Sequence, residues 1–402
     1  MSEAKQLSRR GLLSMAAAGA GTFMIAGTAS ALAETPSNDK PLRWGIIGTG
    51  TRGAYTHIPT LKEVEARGHD LIALCDVVEE RLHSAAGKVG HAVQTYSDYQ
   101  KLLANPDINA VVIAVPNLLH REVLAATVQA GKHVLCEKPA GATPEDATAM
   151  GQTAASSKNV VMFGMQYRNG ARAKKIGELI AAGEVGKPKY LVQNCSRGDW
   201  NLSPEVWRYA DPKRGGQLVN WRFAHAASGG TLNEFSCHYL DLLHWYAGGL
   251  PTSISCDGGI SVYHDGRDTW DRATVTLKYS DDLTAVHTLS MFGPSRADMT
   301  VMGDEGSIES VGDAFRVIRR PKPGEKGGNR IRKIETNEPP SHGVDEAVVV
   351  LYDDFLNCVQ TGKKPDASPA RALAASRTCW LAELASDRKA EVKWNEMVAS
   401  GA

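Results

Sequence analysis

What this chain lacks narrows its function before any motif is read. It has no excess of either charge, because 45 lysines and arginines stand against 45 aspartates and glutamates. That balance excludes a basic nucleic-acid surface and a polyanionic tail, and leaves a small molecule as the expected partner. Its seven cysteines include no Cys-x-x-Cys pair, so their spacing specifies no metal or disulfide framework. There is no internal repeat and no low-complexity tract. Nor is there a long apolar run. The nearest to one lies within residues 1–33, where Ser8-Arg9-Arg10-Gly11-Leu12-Leu13 precedes a weakly apolar Ala/Gly/Met stretch and then Ala29-Ser30-Ala31-Leu32-Ala33. A membrane anchor would be longer and poorer in small residues. The pattern predicts a cleaved twin-arginine signal, hence the twin-arginine export machinery as a partner, a periplasmic location and no stable membrane span after cleavage. That route carries folded chains, so a cofactor would be loaded before export. Cys75 and Cys136 sit in apolar runs and are expected to be reduced; a bridge between two of Cys195, Cys237, Cys256, Cys358 and Cys379 stays open in an oxidising compartment.

What is present suffices for two cores, since 402 residues with 43% hydrophobic side chains exceed what one core usually organises. After a Pro/Ser/Asn/Asp spacer at 35–41, continuous apolar runs at 42–47, 71–75, 110–115, 133–136 and 160–165 have the character of strands buried on both faces. Between them 58–66, 79–88, 99–104, 119–130 and 144–157 have helical spacing, the last with Thr143 as cap and Pro144 in its first turn. This alternation predicts an α/β domain over 41–165 built as a doubly wound parallel (Rossmann) sheet. Beyond 166 the pattern changes. A helix at 171–182 is followed by alternating runs at 189–193, 254–262, 274–279, 285–291 and 299–302, interrupted by a helix at 231–246. That predicts an α+β domain over 166–344 with a large open, mainly antiparallel sheet. Helices at 345–360 and 368–385, within a terminal segment 345–402, are expected to pack back on both domains. An open sheet with a bare face also predicts a homo-oligomer.

Gly48-Thr49-Gly50-Thr51-Arg52-Gly53 follows a predicted strand and precedes a predicted helix, the context that makes GxGxxG informative. Gly48 permits the tight turn, Gly50 lets the backbone approach a pyrophosphate, and Gly53 allows close packing of helix on strand. The helix start, with Thr51 and Arg52, then offers free N–H groups to the phosphates. Asp76 ends the second strand, where a carboxylate accepts from ribose hydroxyls and repels a 2'-phosphate, favouring NAD over NADP. Arg81 stands near enough to keep NADP open. A glycine-rich turn without a ligand and a solvated turn aspartate are the plainer readings of the same residues.

Three further motifs carry a resemblance. Ala114-Val115-Pro116-Asn117-Leu118-Leu119-His120, and Cys136-Glu137-Lys138-Pro139 after Gly131-Lys132-His133, together with Gly229-Gly230 followed by Glu234, His238 and Asp241, resemble the Gfo/Idh/MocA family, named for glucose-fructose oxidoreductase and inositol dehydrogenase. The likeness runs over nearly all of the chain beyond the export stretch. It implies a dinucleotide domain followed by a mostly antiparallel sheet domain, and oxidation or reduction of a secondary alcohol on a sugar or cyclitol. It implies cofactor contacts at Pro116, Asn117, His120, Glu137 and Lys138. The family's lysine maps onto Lys138, and its acid and histidine four apart map onto Glu234 and His238. Here glutamate stands where aspartate is usual, which puts the acid's part in proton transfer in doubt.

The residues make their own case. Positions 234, 238 and 241 share one face of a regular helix. Hydride transfer from a carbinol carbon needs a base for the hydroxyl proton, and a histidine is suited to that, so His238 is the first candidate. Lys138, at the carboxyl edge of a parallel strand, is suited to holding the alkoxide or carbonyl oxygen and the nicotinamide ribose, or to acting as the base with a lowered pKa. Asp241 either orients His238 or makes structural contacts at the domain junction. For the substrate, Tyr167, Arg168, Trp221 and Arg222 are the first candidates, with Arg197, Trp200, Trp207 and Asn220 beside them; core packing is the commoner fate of each tryptophan. No residue is assigned to a metal. Three functions remain in view: an NAD-dependent sugar, glycoside or cyclitol oxidoreductase with tightly held cofactor; an NAD-dependent glycosidase that oxidises transiently with no net redox; and a non-catalytic NAD- or sugar-binding protein.

Overall fold

In the computed structural model, residues 41–65, 67–200, 220–280, 282–311, 314–321, 324–335 and 345–396 are described. Residues 1–40, on which the expected export signal and spacer fall, and Ala66 and Trp207 lie outside the described residues. The chain divides into Met1–Pro36 and Ser37–Ala402, and the described strands and helices belong to the second unit.

Six parallel strands form the first sheet: β1 (Arg43–Ile47), β2 (Asp70–Cys75), β3 (Gln94–Tyr96), β4 (Ala110–Ile113), β5 (His133–Cys136) and β6 (Val161–Phe163), in the order β3-β2-β1-β4-β5-β6. The central strand β4, Ala-Val-Val-Ile, is buried throughout, because helices cover both faces of a parallel sheet. Those helices are α1 (Ile58–Glu65), α2 (Glu79–Val89), α3 (Tyr99–Ala104), α4 (His120–Gln129) and α5 (Pro144–Ser156). Thr143 caps α5 by accepting from the Asp146 N–H at 3.1 Å, leaving Pro144 where its missing N–H is harmless. Strand order reverses between β1 and β4, and at such a point the loops at the carboxyl ends part to form a crevice. β3 was not expected: Gln94 and Thr95 are exposed on a short polar edge strand without the apolar run that marked its neighbours.

After α6 (Ala171–Ala181) the second sheet comprises β7 (Pro188–Ser196), β8 (Ser253–Gly259), β9 (Arg272–Ser280), β10 (Leu283–Ser290), β11 (Arg296–Gly303), β12 (Gly306–Val311), β13 (Ala314–Arg319), β14 (Arg330–Glu335) and β15 (Val392–Lys393). Their order is β14-β13-β12-β11-β7-β10-β9-β8-β15, antiparallel except for the central pair β7 and β10. In β10, Ala285, His287 and Leu289 are buried while Val286 and Thr288 are half-exposed, the period of a sheet packed on one face. The helix α7 (Cys237–Ala247) lies against that packed face. It begins differently from expectation: Leu232–Ser236 form a π-helical turn rather than a first α-helical turn. The closing helices α8 (Glu346–Thr361) and α9 (Pro369–Arg388) tie the halves together. Tyr352 and Phe355 of α8 pack on Trp44 of β1 with ring centroids 5.4 and 5.1 Å away, and α9 touches α5, α7 and β8.

Candidate active site

A cavity of about 580 Å³ opens over the carboxyl edge of the first sheet, running from Asp76 and Arg81 past Gly50 and Pro116 to Lys138, Trp221, Arg222 and Glu234. Its first end is made of backbone. Gly48 has φ +96°, and a Cβ there would stand 2.5 Å from the Ala114 carbonyl oxygen. A Cβ on Gly53 would stand 2.1 Å from the Gly48 oxygen, whereas Gly50 has nothing within 4 Å. Two glycines are therefore demanded by the chain itself, and the third leaves bare backbone facing open space, as a pyrophosphate requires. Asp76 anchors the loop: Oδ2 accepts from the Thr49 N–H at 2.7 Å and its hydroxyl at 3.1 Å, and Oδ1 accepts from the Val78 N–H at 2.9 Å. Carboxylate oxygens carry spare lone pairs, so Asp76 faces the cavity as an acceptor while holding the loop. Thr51, Arg52 and Arg81 line the cavity as well.

The other end is made of charges. Lys138 Nζ donates to the Glu234 carbonyl at 2.5 Å and lies 3.3 Å from its Oε1. Arg222 Nε donates to that Oε1 at 2.9 Å, and Asn117 Nδ2 donates to Oε2 at 3.0 Å and to the Ser228 carbonyl at 2.8 Å. Burial alone would raise the Glu234 pKa, but the charges of Lys138 and Arg222 and the Asn117 bond outweigh it, so the carboxyl lies below its ordinary value and stays ionised. The π-helical turn decides this geometry: a turn that departs from the regular ladder presents both the Glu234 carbonyl and its side chain to Lys138. Asn117 is thus a bracket to Glu234 as well as a lining residue.

Glu137, next to Lys138, accepts from Arg52 Nε at 2.5 Å, stands 3.0 Å from His57 Nε2, and takes its neighbour's N–H at 3.2 Å. Its burial is overcome by Arg52, His57 and Lys138, which hold its pKa well below the ordinary value. His57 Nδ1 in turn lies 2.9 Å from the Tyr352 hydroxyl on α8. Neither His57 nor Tyr352 was among the sequence candidates; they are 295 residues apart and share no motif. His120 lines the cavity wall, yet its two nitrogens face the carbonyls of Pro139 and Val115, each at 3.0 Å. Burial holds its ring neutral, so it donates to one carbonyl at a time and braces the turn.

Three expectations change. His238 is 3% exposed, does not line the cavity, and stacks on Tyr167 with centroids 4.0 Å apart at 9°. Its Nδ1 is buried without a partner, and burial, then the Lys138 charge, hold its pKa well below the ordinary value. Asp241 does not orient His238. It takes Arg168 Nε and Nη2 on its two oxygens, each at 2.5 Å, and both side chains are nearly buried. Arg168 consequently does not face the cavity, and Tyr167 serves His238; buried ions compensate each other because an unpaired one is strongly unfavourable. Trp221 and Arg222 do line the cavity, the guanidinium lying 4.3 Å above the indole. Among the described residues no group of three or more histidine, cysteine or acidic side chains is placed to hold a metal.

Residues 42–165 match the model of an oxidoreductase family with an NAD-binding Rossmann fold, GFO_IDH_MocA, and residues 173–309 match the GFO/IDH/MocA C-terminal domain; the two cover well over half of the chain. A 1,5-anhydro-D-fructose reductase of Ensifer adhaerens is 31% identical over 181 residues, 44% of this chain and 52% of that protein. A 2,7-anhydro-N-acetylneuraminate hydratase of Mediterraneibacter gnavus is 29% identical over 252 residues, 61% of each. The chain spans about half to three fifths of the length of these curated relatives. The structure of a levoglucosan dehydrogenase with NADH and levoglucosan superposes with a TM-score of 0.74 at 20% identity, over 89% of this chain and 100% of that one, a likeness of fold.

Proposed function

The chain belongs to the Gfo/Idh/MocA oxidoreductase family, and from that premise we propose that it transfers a hydride between a secondary alcohol of a sugar, glycoside or cyclitol and NAD. The observation that carries this reading is the single cavity joining the glycine loop to Lys138 and Glu234. Bound NAD supplies the hydride acceptor or donor. The loop N–H groups hold its pyrophosphate and Asp76 its adenosine ribose. An ammonium has three donors. Two of those on Lys138 meet the Glu234 carbonyl and carboxylate, and the third is free for the reacting oxygen. In oxidation the Lys138 amine takes the hydroxyl proton as the hydride leaves the carbinol carbon, and ionised Glu234 fixes the ammonium so formed; reduction reverses both transfers. Lys138 lines the cavity and is taken in this reading as the group at that oxygen; the His238 ring, near enough for the Lys138 charge to lower its pKa, is its neighbour. The test is a screen of sugars and cyclitols against the purified, NAD-loaded protein, following the near-ultraviolet band of reduced nicotinamide. Absence of reduction by any of them would refute the reading.

The hydratase relative supports a second reading, transient oxidation followed by elimination with no net redox. Release of aglycone from an aryl glycoside without accumulation of NADH separates the two. The Arg9-Arg10 pair and the small residues before Ala33 support export of the folded chain to the periplasm by the twin-arginine route, with NAD retained. Cell fractionation and the N-terminus of the mature protein test this. The open sheet face, where Tyr190 and Met302 are paired neighbours and both exposed, supports a homo-oligomer, tested by mass in solution.

A further inference from the structure

Where the cavity ends at Trp221 and Arg222, a second arginine stands close to Arg222 across the Trp200 indole. Lys138 and Arg222 share a single carboxylate, Glu234. Beyond them Arg197, just after β7, lays its guanidinium over Trp200, 4.7 Å from the ring centroid, and 5.1 Å from that of Phe235, the residue next to Glu234. Arg222 reaches the same indole at 5.9 Å. Arg197 Nε donates only to the Gly198 carbonyl, at 3.2 Å. No carboxylate of the described residues pairs with it. The nearest in sequence, Asp199, accepts two bonds from Arg267 at 2.9 and 2.8 Å, and Asp241 is taken by Arg168.

Arg197 is therefore a guanidinium with no carboxylate partner among the described residues, next to one that already shares Glu234 with Lys138. Burial, with the charge of Arg222, lowers the Arg197 pKa, as expected for a guanidinium short of a counter-charge. Stacking on an indole is weaker compensation than a paired carboxylate. A site meant only for neutral hydroxyls has no need of two guanidiniums around one ring. Their planar forks match a carboxylate, which takes two parallel N–H bonds from each.

Building on the oxidoreductase reading, we propose that the substrate is an anionic sugar of the uronate class, its carboxylate received by Arg197 and Arg222 while its reacting hydroxyl meets Lys138. The test uses the full chain loaded with NAD, titrated calorimetrically with glucuronate against glucose and galacturonate against galactose, while NADH is followed separately. At least one uronate is expected to bind about tenfold or more tighter than its neutral parent, the size of a charge-assisted pair. That preference shrinks with added salt. Arg197→Gln should abolish it and Arg197→Lys should keep part of it, with NAD binding and the melting temperature reporting that each variant is folded; Arg222→Gln serves if Arg197→Gln does not fold. Neutral parents binding as well as uronates, no uronate binding at all, or a preference that survives the loss of the arginine would overturn the proposal. The redox reading fails separately: uronates that bind without any sugar reducing NAD leave the anion site standing, whereas neutral sugars that reduce NAD while uronates are ignored leave only the oxidoreductase.

Discussion

The two ends of the cavity are built from different materials. The cofactor end is backbone: three glycines, the N–H groups of the loop, and one carboxylate, Asp76, bonded to Thr49. Its glycine loop, Asp76 and Arg81 all lie between residues 48 and 81. The substrate end is side-chain charge gathered from distant segments, with Lys138, Glu234, Arg222 and Asn117 in one network and Glu137, Arg52 and His57 in another beside it. A backbone site tolerates many side chains but not an added methyl group. A charge site tolerates small shifts of shape but not the loss of a partner, because each buried ion is held by the others.

Four experiments press on that contrast. Lys138→Met should lower kcat by about 10²- to 10⁴-fold, the range for a positioned acid–base group, while NAD affinity changes far less; a comparable loss of NAD binding would show that the two ends are not separable. Arg168→Ala should leave Asp241 buried and unpaired, lowering stability by about 3 kcal/mol in a denaturant titration. Lost activity with unchanged stability would instead return Arg168 to the substrate. At the cofactor end, Gly48→Ala places a methyl group against the Ala114 carbonyl at a left-handed φ; strain of roughly 1–3 kcal/mol should weaken NAD binding about tenfold or more, measured by calorimetry, with Gly50→Ala milder in its effect on folding. The mildest effect is of pH. Burial brings His244 and His287, beneath the substrate end, down to about 3 from 6.5. The unfolded chain takes up these protons as pH falls below 6.5 and the folded one does not until about 3. Their contribution to stability is therefore complete above 6.5 and declines by up to about 1.4 kcal/mol per pH unit for each as the solution is acidified. Urea midpoints that stay constant from neutrality to pH 5 would contradict this.

Legibility followed the same division. Strands β1, β2, β4, β5 and β6 were readable because parallel strands buried on both faces are unbroken apolar runs. β3 was not, being polar and at an edge. In the second sheet the central strands were readable by alternation, but β12, β13 and β14 were missed; β14, Arg-Ile-Arg-Lys-Ile-Glu, is almost wholly exposed, so no buried face imposed a period on it. The helix at 231–246 was recognisable, yet its π-helical start was not, since apolar spacing does not distinguish one wide turn from the regular ladder. The assumption that Glu234, His238 and Asp241 act together failed at that point: Glu234 turns to Lys138, His238 to Tyr167 and Asp241 to Arg168.

The order of the residues by itself determined the two-sheet architecture, the glycine loop, the acceptor Asp76 and the position of Lys138 at a strand end. Each of these depends on periodicity or on spacing within one strand–turn–helix unit, where short-range sterics decide. The tertiary structure alone decided which charges meet and which rings stay neutral, and it stacks His238 on Tyr167 while Lys138 lines the cavity. A buried group's charge and partners depend on what packs around it, and here that packing joins Arg168 to Asp241 across 73 residues and His57 to Tyr352 across 295, distances over which no local pattern reaches.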